Sequence, residues 1–83
     1  MKNIIEAHRY CTGNYGALKR SEKCGCFYCV KIFDSSEIDD YIIEPDGSKT
    51  ALCPYCDIDS VIGERTGCVL SEEFLEEMRK YWF

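Results

Sequence analysis

The chain carries seven cysteines in 83 residues, and four of them repeat one spacing: Cys26-x2-Cys29 in CGCFYC and Cys53-x2-Cys56 in CPYC. A CxxC turn can present two thiolates to one ion while its later backbone N–H groups point at the sulfurs, and zinc takes four such soft ligands at tetrahedral corners. The two pairs are separated by 23 residues, slightly longer than the common four-cysteine zinc spacing but the same in kind. Pro54 stiffens the second turn, and Gly25 is expected to relieve crowding just before the first. Four cysteines fill the tetrahedron and leave no position for water or substrate. The expected site is therefore one structural Zn2+ on Cys26, Cys29, Cys53 and Cys56, with no enzymatic role.

Two other chemistries compete for the CxxC motif. An odd number of cysteines leaves a thiol over in any fully disulfide-bonded scheme. A redox dithiol of the thioredoxin kind needs a strand before the motif and a long helix after it, within a parallel α/β sheet that this chain is too short to build. The N-terminal MKNIIEAHRY places Glu6, His8 and Arg9 directly after two isoleucines, which leaves no apolar core of signal-peptide length. No window approaches a membrane span. The expected compartment is a reducing cytosol, where clustered cysteines more often bind metal than form staples.

Cys24 lies two residues before Cys26 and competes for the same ion; the x2 spacing of the second pair favours Cys26. His8 and Cys11 also have ligand-like spacing and, with Cys24 and Cys68, would complete a second site. The preferred reading is that Cys11 and Cys68 are small buried hydrophobes. His8, on the apolar side of an N-terminal helix, is expected to be packed and hydrogen-bonded.

The elements that must hold these turns read as α+β. Residues 2–10 form a short helix, and residues 14–20 another turn of helix with Tyr15 and Leu18 facing inward. Asp34 and Glu37 have the spacing of a capping box and predict a helix with Ile38, Tyr41 and Ile42 as its buried stripe. Pro45, Asp46 and Gly47 end it, and Thr50, Ala51 and Leu52 form a strand delivering Cys53. The C-terminal helix has the strongest pattern. Ser71 caps it, Glu72 and Glu73 sit at its positive end, and Arg79 and Lys80 at its negative end. Phe74, Leu75, Met78, Tyr81 and Trp82 make its apolar face, which is expected to fold back over the cysteine turns rather than stay exposed as a docking patch. A chain of this length buries only ~60% of its unfolded surface, so a metal staple is expected to carry much of its stability. No repeat or linker divides residues 1–83, which read as a single zinc-binding domain, zinc-ribbon or treble-clef-like.

The blocks CGCFYC, ALCPYCDIDSVIG and EEFLEEMRKYWF, in that order, resemble a family of small bacterial zinc-ribbon-like proteins described as hypothetical or cytoplasmic. The resemblance spans nearly the whole chain from His8 onward. It implies a cytosolic protein with a zinc site at Cys26, Cys29, Cys53 and Cys56, implies no particular activity, and gives Cys11 and Cys68 no role. CDIDSVIG is also faintly similar to the core of HNH-type nucleases, but Asp59 is followed by Ser60 rather than histidine. The only histidine is His8, so a general base is missing. Asp57 and Asp59 then read as acceptors behind the ligands or as loop caps.

Ten Lys and Arg face fifteen Asp and Glu, a net charge of -5, and a zinc tetrathiolate adds roughly two negative charges. Phosphate binding wants the opposite field. Lys19, Arg20, Lys23 and Lys31 cluster around the first cysteine turn, where Phe27 and Tyr28 lie, and are expected to offset thiolate charge. The function read from the sequence is a protein-interaction or regulatory module built on a structural zinc site. The alternative is a nucleic-acid-binding zinc-ribbon adaptor. Of Phe27, Tyr28 and Tyr55, at least one is expected to be exposed as an anchor for a partner protein.

Overall fold

A computed structural model of the chain describes residues 4–20, 23–64 and 70–83. Its centre is a three-stranded antiparallel sheet in the order β2-β1-β5, formed by β1 (Lys23–Cys26), β2 (Lys31–Asp34) and β5 (Val61–Gly63). The first cysteine turn joins β1 to β2, placing Cys24 opposite Phe33 and Cys26 opposite Lys31. On its other edge β1 pairs with β5, Cys26 opposite Val61. Successive side chains point to opposite faces of a sheet. Cys24, Cys26, Phe33 and Val61 accordingly share one core with Leu18, Ile38, Ala51 and Cys53. Ile62, on the opposite face, joins Ala7, Cys11, Phe27, Leu75 and Met78 in a second core.

Gly25 lies on that second face, within β1 rather than in a turn. A Cβ there would lie 3.0 Å from Leu75 Cδ1 and 3.3 Å from Leu70 Cδ2. The missing side chain lets the C-terminal helix approach the sheet, a role that the turn-based expectation for Gly25 did not foresee. That helix, α3 (Glu72–Trp82), starts where Ser71 Oγ accepts the Phe74 N–H at 3.2 Å. Leu75 and Met78 are fully buried, whereas Tyr81 is 56% exposed. The buried stripe is thus narrower than the apolar periodicity suggests. The terminal rings still find partners: Trp82 stacks on His8 at 3.8 Å between centroids and donates its indole N–H to the Ile4 carbonyl at 3.2 Å. Phe83 meets Tyr28 edge-on at 4.9 Å. His8 closes α1 (Ile4–His8) and is held by rings, as expected of a packed histidine.

The predicted helix after Asp34 is not formed. Asp34 and Glu37 do make a capping box, in which the Asp34 side chain accepts the Ser36 N–H at 2.9 Å and Glu37 accepts the Asp34 N–H at 3.2 Å. The box opens only one 3-10 turn, Ser35–Glu37. Ile38 is buried, but Tyr41 and Ile42 are exposed on β3 (Tyr41–Ile43). Asp39 and Asp40 are poor helix formers, and Tyr41, Ile42 and Ile43 after them are good strand formers, which outweighs the start signal. Pro45, Asp46 and Gly47 form a turn as expected, but one that folds β3 onto β4 (Lys49–Ala51) instead of ending a helix. Gly47, at φ 88, donates its N–H to the Glu44 carbonyl at 2.9 Å.

One buried side chain joins the two sheets. Asn14, at the start of α2 (Tyr15–Leu18), donates to the carbonyls of Tyr10 and Val61, both at 2.7 Å, and accepts the Ala51 N–H at 3.1 Å. It ties the N-terminal segment, β5 and β4 together, and so sets the two cysteine turns against each other. No helix among the described residues is long and apolar enough to cross a membrane.

Candidate metal centre

The first cysteine turn hangs from the β1–β2 hairpin, and the second connects β4 to β5. They meet face to face. The sulfurs of Cys26, Cys29, Cys53 and Cys56 all lie within 4.8 Å of one another, close enough to hold a metal ion. Across the turns, Cys26 Sγ is 3.6 Å from Cys56 Sγ, and Cys29 Sγ is 3.6 Å from Cys53 Sγ. A disulfide needs ~2.05 Å between sulfurs. A tetrahedron with metal–sulfur bonds of ~2.3 Å has edges of ~3.8 Å, which these separations match.

The two turns repeat each other in their backbone as well. The Tyr28 N–H points at Cys26 Sγ at 3.3 Å, and the Tyr55 N–H at Cys53 Sγ at 3.4 Å, each two residues beyond the sulfur it serves. Immediately after the second cysteine of each turn the chain enters the left-handed region, with Val30 at φ 59 and Asp57 at φ 62. Aspartate visits that region readily; for a β-branched valine it costs ~1–2 kcal/mol. The Asp57 N–H bonds the Cys53 carbonyl at 2.9 Å, and the Cys53 N–H bonds the Ile58 carbonyl at 3.0 Å, closing the second turn. Asp57 thus serves the turn through its backbone.

Ser60 is a member of the site that motif spacing does not reveal. It is fully buried, and its hydroxyl lies 3.0 Å from Cys26 Sγ. In the sequence it is notable only for standing where a nuclease would carry histidine. Its function depends on β5 pairing with β1, a contact that no local pattern encodes.

Charge at the sulfurs is finely set. Burial pushes the Cys53 thiol well up, and pushes Cys56 up to about 11. Burial acts the same way on Cys26, but there the Ser60 hydroxyl and the backbone N–H groups of Cys29 and Tyr28 outweigh it and lower the thiol below its ordinary value. Without a cation the second turn favours neutral thiols. A bound divalent ion would favour four thiolates.

Among the described residues, Cys24 and Cys11 stand apart from the cluster. Cys24 is buried in β1, its thiol pushed up to about 12 by burial, with Asp34 and Glu64 adding to the effect. Cys11 is buried beside Thr12, and burial raises its thiol too. Cys68 lies outside the described residues. At the first turn it is the sulfur of Cys26, not that of Cys24, that lies within the four-cysteine cluster.

Cys26 and Cys53 are buried and Cys29 and Cys56 half-buried, so the cluster has one side near solvent. Phe27 points inward, while Tyr55 is 52% exposed and Tyr28 37%. The Tyr55 hydroxyl donates to Glu37, and Lys31 lies over the Tyr55 ring at 5.3 Å. Lys19 donates to the Ile38 carbonyl and covers Tyr15. Two cations of the expected basic patch are therefore each spent on a separate tyrosine. The geometry is that of a small α+β unit whose four-cysteine cluster is compatible with a metal-binding structural domain. No protein-family model, curated protein or solved structure matches the chain.

Proposed function

We propose that the chain is a zinc-stabilised protein-interaction or regulatory module of the bacterial cytosol, built like a zinc ribbon and without enzymatic activity. One observation carries the reading: two turns with the same N–H-to-sulfur bonds and the same left-handed exit bring four sulfurs within 4.8 Å. Zinc suits that donor set because it has no geometric preference of its own and takes four thiolates at tetrahedral corners. Each cysteine turn leads into a strand, β2 after the first and β5 after the second, which favours a ribbon-like description over a treble clef. With every metal position filled by sulfur, the ion holds the fold instead of binding substrate. Interaction with another protein is supported by Tyr28 and Tyr55, exposed rings mounted on the two rigid turns.

Elemental analysis combined with alanine substitution tests this reading. One zinc per chain is expected, lost in Cys26→Ala, Cys29→Ala, Cys53→Ala and Cys56→Ala and kept in Cys24→Ala and Cys11→Ala. Full zinc in Cys26→Ala with loss in Cys24→Ala would overturn the ligand set. Steeply salt-dependent binding of oligonucleotides by the zinc-loaded chain would replace the protein-interaction reading with a nucleic-acid one.

A further inference from the structure

The β3–β4 hairpin has one closed edge and one open edge. On the β4 side, Asn14 Oδ1 takes the Ala51 N–H at 3.1 Å. On the β3 side, the bonds from Leu52 N–H to the Asp40 carbonyl at 3.1 Å and from Glu44 N–H to the Ser48 carbonyl at 2.8 Å, with Ile42 opposite Thr50, show which groups face β4. They are those of Asp40, Ile42 and Glu44, because hydrogen-bonded pairs alternate along an antiparallel ladder. The N–H and C=O of Tyr41 and Ile43 therefore point away from the sheet. The Tyr41 N–H is taken by its neighbour, the Asp40 carboxylate, at 2.8 Å. The outward groups of Ile43 and the outward carbonyl of Tyr41 make no backbone hydrogen bond to another element among the described residues. Apolar side chains accompany this open row: Tyr41, Ile42 and Ile43 are all exposed, Ile43 at 69%.

Natural proteins usually blunt such an edge with lysine, proline or a bulge, because an exposed apolar edge strand is a template for a further strand. Here the flanks carry charge of one sign. From residue 32 to residue 48 the chain has six acids, Asp34, Glu37, Asp39, Asp40, Glu44 and Asp46, and no lysine or arginine. Lys49, opposite Ile43, is turned over the Tyr41 ring at 4.7 Å. That charge selects the occupant. A second copy pairing antiparallel about Ile42 would set Asp40 against Glu44 at both ends, and like charges directly opposite are destabilising.

From this we infer that β3 is a docking edge for an extended segment of another protein, apolar at its centre and flanked on both sides by lysine or arginine, which adds a third strand to the hairpin. The backbone of Ile43 supplies the ladder bonds and Asp39 and Asp40 the selectivity for basic flanks, while the Glu44 carboxylate, which accepts the Thr50 hydroxyl at 2.6 Å, adds negative charge at the far end of the strand. The inference rests on the protein-interaction reading above and names the partner's chemistry.

The test uses the full chain, with zinc content measured first, and a fluorescently labelled peptide Lys-Lys-Thr-Val-Thr-Ile-Thr-Val-Lys-Lys beside a version with glutamate in place of every lysine. Fluorescence polarisation should show saturable binding of the lysine peptide, about tenfold or more tighter than the glutamate peptide, and amide NMR shifts should centre on residues 40–44. Ile43→Pro removes an outward N–H without breaking a bond to β4, so it should weaken the lysine peptide about tenfold or more while the hairpin persists. Asp39→Lys, a surface change, should narrow the difference between the two peptides. No binding, equal binding of both peptides, or the same difference in Asp39→Lys would overturn the inference. So would a dimer through β3 that Ile43→Pro abolishes. Shifts centred on Tyr28 and Tyr55 would overturn it too, while leaving the interaction reading intact; absence of zinc would instead refute the metal-centred reading.

Discussion

Replacing Asn14 tests whether the packing between the two sheets is held by one amide. Its side chain makes three hydrogen bonds, at 2.7, 2.7 and 3.1 Å, to Tyr10, Val61 and Ala51. At a net ~0.5–1.5 kcal/mol each, their loss costs about 1.5–4.5 kcal/mol. Asn14→Ala also strands the Val61 carbonyl and the Ala51 N–H in a buried setting; unpaired groups of this kind cost ~1–3 kcal/mol apiece, an overlapping route to a similar total. The expected destabilisation is therefore about 2–5 kcal/mol, a large share of the ~5 kcal/mol available to a small domain. Asn14→Asp should cost more at neutral pH, since it keeps an acceptor for Ala51 but turns a carboxylate toward two carbonyl oxygens. Urea unfolding of the zinc-loaded chain at fixed free zinc, followed by Trp82 fluorescence and far-ultraviolet circular dichroism, gives the numbers. A loss below about 1 kcal/mol in both variants would refute the clamp.

Ser60→Ala should lower zinc affinity about 10- to 100-fold with little change in the spectrum of the loaded chain, as measured against a chromophoric chelator; unchanged affinity would reduce Ser60 to a packing residue. Cys24 has its thiol raised to about 12 from 9.0, so the folded chain holds a proton that the unfolded chain releases. Its contribution to stability is present below pH 9 and is lost as pH climbs toward about 12, and Cys24→Ala should flatten that alkaline decline in the zinc-loaded chain. Stripping the ion with a strong chelator, or displacing it with acid, should abolish the near-ultraviolet signal of Trp82 and the helix content together, and zinc under reducing conditions should restore both. A metal-free chain that kept a cooperative thermal transition would leave zinc without its structural role.

The four-cysteine cluster is legible in the sequence because a CxxC turn is a local structure: spacing alone orients both sulfurs and the N–H groups behind them. The C-terminal helix is legible for a similar reason, with its cap, its end charges and its apolar period agreeing over eleven residues. Local signals fail where the outcome depends on distant chain. The capping box of Asp34 and Glu37 marks a helix start and says nothing of how far the helix runs; Asp39 to Ile43 stop it by propensity, and pairing with Lys49–Ala51 turns the segment into a strand. Val61–Gly63 is too short to carry a period and becomes β5 only by lying against Cys24, Gly25 and Cys26. Ser60 and Asn14 acquire their roles through that same pairing, so their importance is invisible in one dimension. Gly25, which resembles a turn residue beside a cysteine motif, is needed because Leu75 packs over it.

X-ray absorption at the zinc edge of the purified, reduced protein reads the coordination shell itself. One zinc per chain is expected, with four sulfur neighbours at ~2.3 Å and no lighter atom in the shell. A shell containing nitrogen or oxygen, or a protein that purifies folded with no zinc edge, would contradict that expectation.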